Sequence, residues 1–100
     1  MNTKFALRVE LKAKPGKESE VEVFLKQEAA LAKGEPGTVT WHAAKVEGEP
    51  GVYAIFDTFN DEAGRDAHLK GEGAQELAAH AQELFSEAPK IYRLQVIAQK

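Results

Sequence analysis

A ferredoxin-like α+β fold is what this sequence predicts: an antiparallel four-stranded sheet with helices on one face. Three observations carry that prediction. The apolar pattern switches between period two and helical spacing in the order β-α-β-β-α-β. The stretch YAIFDTF at residues 53–59 is a strand apolar on both faces, which must be covered on both. And 100 residues make one domain, residues 1–100, able to cover one sheet face with its own helices. The other face then needs a partner, and a second copy of the chain is the simplest one, since closed two-fold dimers are the commonest assembly.

The first strand has Phe5, Leu7, Val9 and Leu11 alternating with Ala6, Arg8, Glu10 and Lys12. Pro15-Gly16 ends it with turn chemistry. From Lys17 to about Ala32, the residues Val21, Phe24, Leu25, Glu28, Ala29, Leu31 and Ala32 recur at helical spacing. Glu18 and Glu20 suit the positive end of the helix dipole, and Gly34 is a natural residue just past its end. Pro36-Gly37 fits the centre of a type II turn. The second strand, Thr38 to Glu47, places Val39, Trp41 and Ala43 opposite Thr40, His42 and Ala44. A loop at Gly48-Glu49-Pro50-Gly51 turns the chain into the third strand, Val52 to Phe59. There Tyr53, Ile55 and Phe59, with Asp57 among them, face away from Val52, Ala54 and Phe56.

Asn60 has the chemistry of an N-cap. A short helix follows to about Leu69, with Arg65 and Asp66 expected on its solvated side. Gly71-Glu72-Gly73 interrupts it. A further helix carries Leu77, Ala78, Ala81, Leu84 and Phe85 on one stripe, and Pro89 stops it. Lys90 to Ala98 is the last strand. Joining two β-α-β halves predicts the strand order 4-1-3-2. The first and third strands are then central, and an apolar patch on the open sheet face marks an interaction surface.

Composition excludes several functions. There is no cysteine, so thiol catalysis and disulfides are ruled out, and a cytoplasmic location is expected. The stretch from Met1 to Lys14 alternates instead of forming an apolar core, which predicts no signal peptide. No apolar run approaches a membrane span. A net charge of −3 with both signs mixed argues against nucleic-acid binding. The histidines at 42, 68 and 80 make no metal motif, and GEG at 71–73 is not a phosphate loop.

KPGKESEVEVFL at residues 14–25, EPGTVTW at 35–41 and YAIFDTFNDEAGRDAHL at 53–69 resemble the antibiotic biosynthesis monooxygenase family, a group of dimeric α+β barrels that includes small quinol monooxygenases. The resemblance spans nearly the whole chain. It implies a homodimer with a pocket between sheet and helices in each protomer. It also implies oxidation of a small aromatic phenol or quinol by O2 with no cofactor: no flavin, metal or heme. Trp41 matches a strand position often aromatic in the family, and His68 matches a histidine frequent in the quinol-oxidising members. Two family features are absent: Gly37 stands where some members carry asparagine, and Gly73 where many carry a second histidine. The helical histidine of heme-degrading relatives would fall near Ala78, and His80 lies two residues away.

His68 is accordingly the candidate catalytic base, since an imidazole titrates near the working pH. As a lone histidine it reads equally as a helix-end residue. Trp41, Tyr53 and Phe24 are the candidate substrate-binding residues, each of which also reads as core or interface. His42 is expected on the dimer side, and His80 at a solvated position. Asp57 is conspicuous as a charge in an apolar strand, with Arg8 as its expected ion-pair partner. The rival function is a non-catalytic dimer of the same fold that binds a small hydrophobic ligand.

Overall fold

The computed structural model describes residues 4–100; Met1 to Thr3, at the head of the stretch read as lacking a signal peptide, lie outside them. The elements run β1 (Phe5–Lys12), α1 (Glu18–Lys33), β2 (Thr38–Lys45), β3 (Val52–Phe59), α2 (Glu62–Lys70), α3 (Glu72–Leu84) and β4 (Lys90–Gln95). The sheet is antiparallel throughout and ordered β2-β3-β1-β4. This is the ferredoxin-like order expected from two joined β-α-β halves.

Register decides which side chains share a face. Leu7 lies beside Asp57, Val9 beside Ile55 and Leu11 beside Tyr53. Trp41 flanks Asp57 from β2, and Ile91 flanks Val9 from β4. On this side Leu11, Val21, Phe24, Leu25, Ile55 and Leu84 form the core between sheet and helices. The opposite face carries Arg8 between Phe56 and Tyr92, and Phe56 is 43% exposed. Ala6 alternates onto that face too, yet is buried, because so small a side chain is walled in by Thr58 and Leu94.

Turn chemistry holds at the first turn and fails at the second. Gly16 has φ +85° and Lys17 N–H donates to the Lys14 carbonyl at 2.9 Å, a turn that needs glycine. Gly37 does not take the positive φ that a type II turn requires. Its missing side chain serves a close approach instead: a Cβ there would lie 2.9 Å from Gly64 Cα. Gly34 ends α1 in right-handed conformation, φ −85°. Asp61, not Asn60, caps α2, with its side chain accepting from Gly64 N–H at 2.8 Å; Asn60 instead donates to the Pro36 carbonyl at 3.3 Å. β2 stops at Lys45 and β4 at Gln95, short of the expected Glu47 and Ala98.

Two expected charge placements are overturned by the faces. Arg8 and Asp57 point to opposite sides of the sheet, so they do not pair. Arg8 instead stacks 4.7 Å from the Tyr92 ring centre and meets Glu10 at 3.2 Å. Arg65 is only 7% exposed. Its guanidinium lies 5.2 Å from the Phe5 ring centre and donates to the carbonyls of Ala6 and Leu94 at 3.4 and 3.2 Å. Those carbonyls lie on β1 and β4, partners that α2's own sequence does not display. Asp66 does face outward and reaches Arg93 at 3.6 Å.

Candidate functional site

The Gly37–Gly64 contact brings the start of α2 against the loop between α1 and β2. With no side chain on either glycine, the backbones nearly touch, and Glu35 on that loop comes within reach of His68 on α2. His68 Nδ1 lies 2.6 Å from Glu35 Oε1, and Nε2 lies 3.1 Å from Asp57 Oδ2. Thr38 donates to the same Glu35 oxygen at 2.8 Å. The Phe59 ring packs against the imidazole, 5.2 Å between centres.

An imidazole with a carboxylate on each nitrogen is served best as the cation, because the neutral ring has only one N–H to donate. Burial alone would lower its pKa; the Asp57 and Glu35 carboxylates more than reverse that and push it up to about 9. Asp57 is 0% exposed. Burial holds its carboxyl above the usual range, although His68 pulls the other way. Its contact with His68 is an ion pair without aligned hydrogen-bond geometry, so both of its oxygens lack a hydrogen-bond partner.

Asp57 and His68 line a small cavity of about 40 Å³ between sheet and helices. Leu7, Val9, Ile55, Leu69, Ala74 and Leu77 supply apolar walls, Trp41 closes one side, and Ile91, 49% exposed, borders it on β4. Glu28 completes the lining from α1. It is 7% exposed and its Oε2 has no partner. Burial, helped by Glu76 and Glu35 and opposed by His68 and His80, pushes this carboxyl up to about 7.

A cleft of about 360 Å³ lies between α1 and β2, lined by Leu25, Ala29, Trp41, Ala43 and Tyr53 with Glu22, Lys26 and Lys45 at its polar positions. Trp41 borders both this cleft and the inner cavity. A groove of about 470 Å³ runs along the other side of His68, over Glu35, Gly37 and Gly64.

The structure thus brings Trp41 and His68 to one cavity. Tyr53 reaches only the outer cleft, where its hydroxyl donates to Glu22 Oε2 at 2.8 Å. Phe24 belongs to the core, lines none of these three spaces, and packs 5.5 Å from the His80 ring. His80 is half-buried beside Glu76 at 3.2 Å, and His42 is exposed opposite Phe56 on the open face. Sequence reasoning missed Glu28 and Glu35 altogether. Glu28 did leave a signal, a carboxylate on the apolar stripe of α1; Glu35 left none. Space explains only one of the two absent family residues: a side chain at Gly37 would strike Gly64, whereas a Cβ at Gly73 would stand in ordinary contact, 3.5 Å from Glu28 Oε2.

Among the described residues, no cluster of His, Asp and Glu could hold a metal ion, and no helix is long and apolar enough to cross a membrane. The chain is 45% identical to a protein of unknown function from Nitrosomonas europaea, over 98% of this chain and 93% of that one, with a TM-score of 0.92. A candidate antibiotic biosynthesis monooxygenase from Caulobacter crescentus shares the fold at 23% identity and TM-score 0.85, covering 96% and 92% of the two chains. A Pseudomonas aeruginosa protein does so at 20% identity and TM-score 0.84, covering 98% of each. No curated protein matches the sequence. The family model described as antibiotic biosynthesis monooxygenase matches residues 5–82, a span that contains Trp41, Asp57, His68 and both glycines of the close contact. The chain belongs to the antibiotic biosynthesis monooxygenase family.

Proposed function

We propose that this protein is a monooxygenase that oxidises a small electron-rich phenol or quinol with O2, without flavin, metal or heme. The observation that carries the reading is the inner cavity, where a histidine cation is held by two carboxylates beside a tryptophan. His68 acts there as a fixed positive charge, in place of the proton acceptor the sequence suggests. It stabilises the phenolate, whose ring gives up an electron to O2 more readily than the neutral phenol. A charge fixed in a low-dielectric site needs no reorganisation as the anion forms. For a phenol oxidised to a quinone, one oxygen atom of O2 enters the ring and the other leaves as water. The ring and hydroxyl hydrogens go to that water, and the substrate supplies all four electrons that O2 accepts.

A cavity of about 40 Å³ is too small for an aromatic ring, since ligand pockets start at roughly 300 Å³. Trp41 is the shared wall with the 360 Å³ cleft, and a shift of its indole joins the two. The substrate enters by that route and stacks on the ring. The protein works as a homodimer paired through the open sheet face, where Phe56 and Tyr92 are exposed apolar anchors.

The test is oxygen uptake with a panel of hydroquinones and anthrones. Uptake above buffer is expected with at least one, and Trp41→Phe and His68→Ala, while remaining folded, lower kcat/KM by about tenfold or more. No uptake with any of them overturns the reading. Gly37 and Gly73, which lack the polar side chains of some relatives, favour a second reading in which the same pocket binds a hydrophobic ligand without turnover; a ligand that copurifies and is never consumed would support it.

A further inference from the structure

Holding a phenolate beside His68 leaves its proton to be taken, and the imidazolium cannot take it. We infer that Glu28 is the catalytic base that accepts the substrate's hydroxyl proton. The inference rests on the proposed phenol oxidation and concerns a residue on α1 that no motif marks. Glu28 is buried, lines the same cavity as His68 and Trp41, and presents an oxygen with no partner. A buried acceptor left unsatisfied is costly, and a substrate hydroxyl donating to it removes that cost.

The division of labour follows from position. In the transfer, the phenol O–H bond breaks, the proton bonds to Glu28 Oε2, and the electron pair stays on the phenolate oxygen. The proton leaves later with the water formed from O2. The other cavity acid, Asp57, also has oxygens without a hydrogen-bond partner, but its charge is held in the ion pair with His68 at 3.1 Å, and Glu35 is engaged by His68 and Thr38. Glu28 faces His68 from α2, Glu76 and His80 from α3, Glu35 from its own chain segment, and Asp57 across the cavity. With its carboxyl near 7, it is poised for proton transfer at neutral pH, where a general base works best.

The experiment has two arms. In the first, kcat/KM for oxygen uptake is followed against pH. Wild type is expected to rise through about 7 as Glu28 ionises; Glu28→Gln loses that rise and falls about 100-fold or more, while Glu28→Asp keeps the rise at a lower rate. In the second, 4-cyanophenol is bound at neutral pH, where the free phenol is mostly neutral, and its ionisation is read by ultraviolet absorbance. Wild type is expected to show bound phenolate and Glu28→Gln bound neutral phenol. A Glu28→Gln protein that keeps the wild-type pH profile, or ionises the probe equally well, overturns the inference. So does a wild type that fails to bind or ionise the phenol. Phenolate formed at Glu28 with no oxygen consumed leaves the inference standing and overturns the monooxygenase reading.

Discussion

The two faces of the sheet use similar charged residues to opposite ends. On the covered face, Arg65, Asp57 and Glu28 are buried and each does something water would otherwise do. Arg65 satisfies two backbone carbonyls, Asp57 holds a histidine cation, and Glu28 keeps an oxygen free in a cavity. On the open face of the protomer, Arg8 and Glu10 pair with each other while their side chains stay 48% and 40% exposed, in a contact whose energetic value is small. Burial, rather than residue type, makes a charge consequential, because low dielectric strengthens every interaction and penalises every missing one.

That contrast can be broken most forcefully from the covered side. Phe59, fully buried against His68, is expected to cost about 3–5 kcal/mol when cut to alanine, read from urea denaturation. It should also loosen the imidazole and release its proton more easily. Arg65→Met removes the hydrogen bonds of a buried cation to the Ala6 and Leu94 carbonyls, at about 1–3 kcal/mol. The matching change on the other face, Arg8→Met, should stay within about 0.5 kcal/mol. Equal losses from the two arginines would erase the distinction.

Stability against pH sharpens it. The folded state raises His68 from 6.5 to about 9, so its contribution is complete below 6.5 and is lost as pH climbs through 9. Glu28 is also raised, from 4.5 to about 7. For a carboxyl this means that the fold favours the protonated form, so stability is greatest below 4.5 and falls as pH rises through 7. Chemical denaturation across that range should show both declines. Glu28→Gln removes the lower one, and His68→Gln the upper. The smallest effect on the protomer belongs to the open face: Phe56→Ser should leave the protein monomeric in light scattering where the proposed homodimer is expected of wild type, yet change protomer stability by no more than about 0.5 kcal/mol.

The particular residues show what was legible. Alternation in β1 placed Leu7 and Val9 beneath the helices, as the structure has them; in β3 it grouped Ile55 with Phe59 but left open which face the helices cover, and the structure buries both. The same alternation puts Arg8 and Asp57 on opposite faces, because Leu7 is the residue beside Asp57, and the adjacency of their strands does not bring them together. Local polarity puts Arg65 on the solvated side of α2, whereas the structure buries it with bonds to carbonyls on β1 and on β4. Pro36-Gly37 looked like a turn because proline and glycine are turn formers; the glycine is there to let two backbones meet.

Period and punctuation are local properties of a chain, so the sequence by itself determined the element order, the strand order 4-1-3-2 and which residues of each strand share a face. His68 could be named as a candidate because residues 53–69 resemble the family's histidine-bearing segment. Its chemistry could not, because a histidine's proton depends on what stands at each ring nitrogen. Glu35 is separated from it by half the sheet's connectivity, and the two meet only because Gly37 and Gly64 leave no side chain between their backbones. Only the tertiary structure decided that Asp57 would sit at the other nitrogen and that Glu28 would be left with a free oxygen in the same cavity. Those are matters of distance and dielectric, which no spacing along the chain encodes.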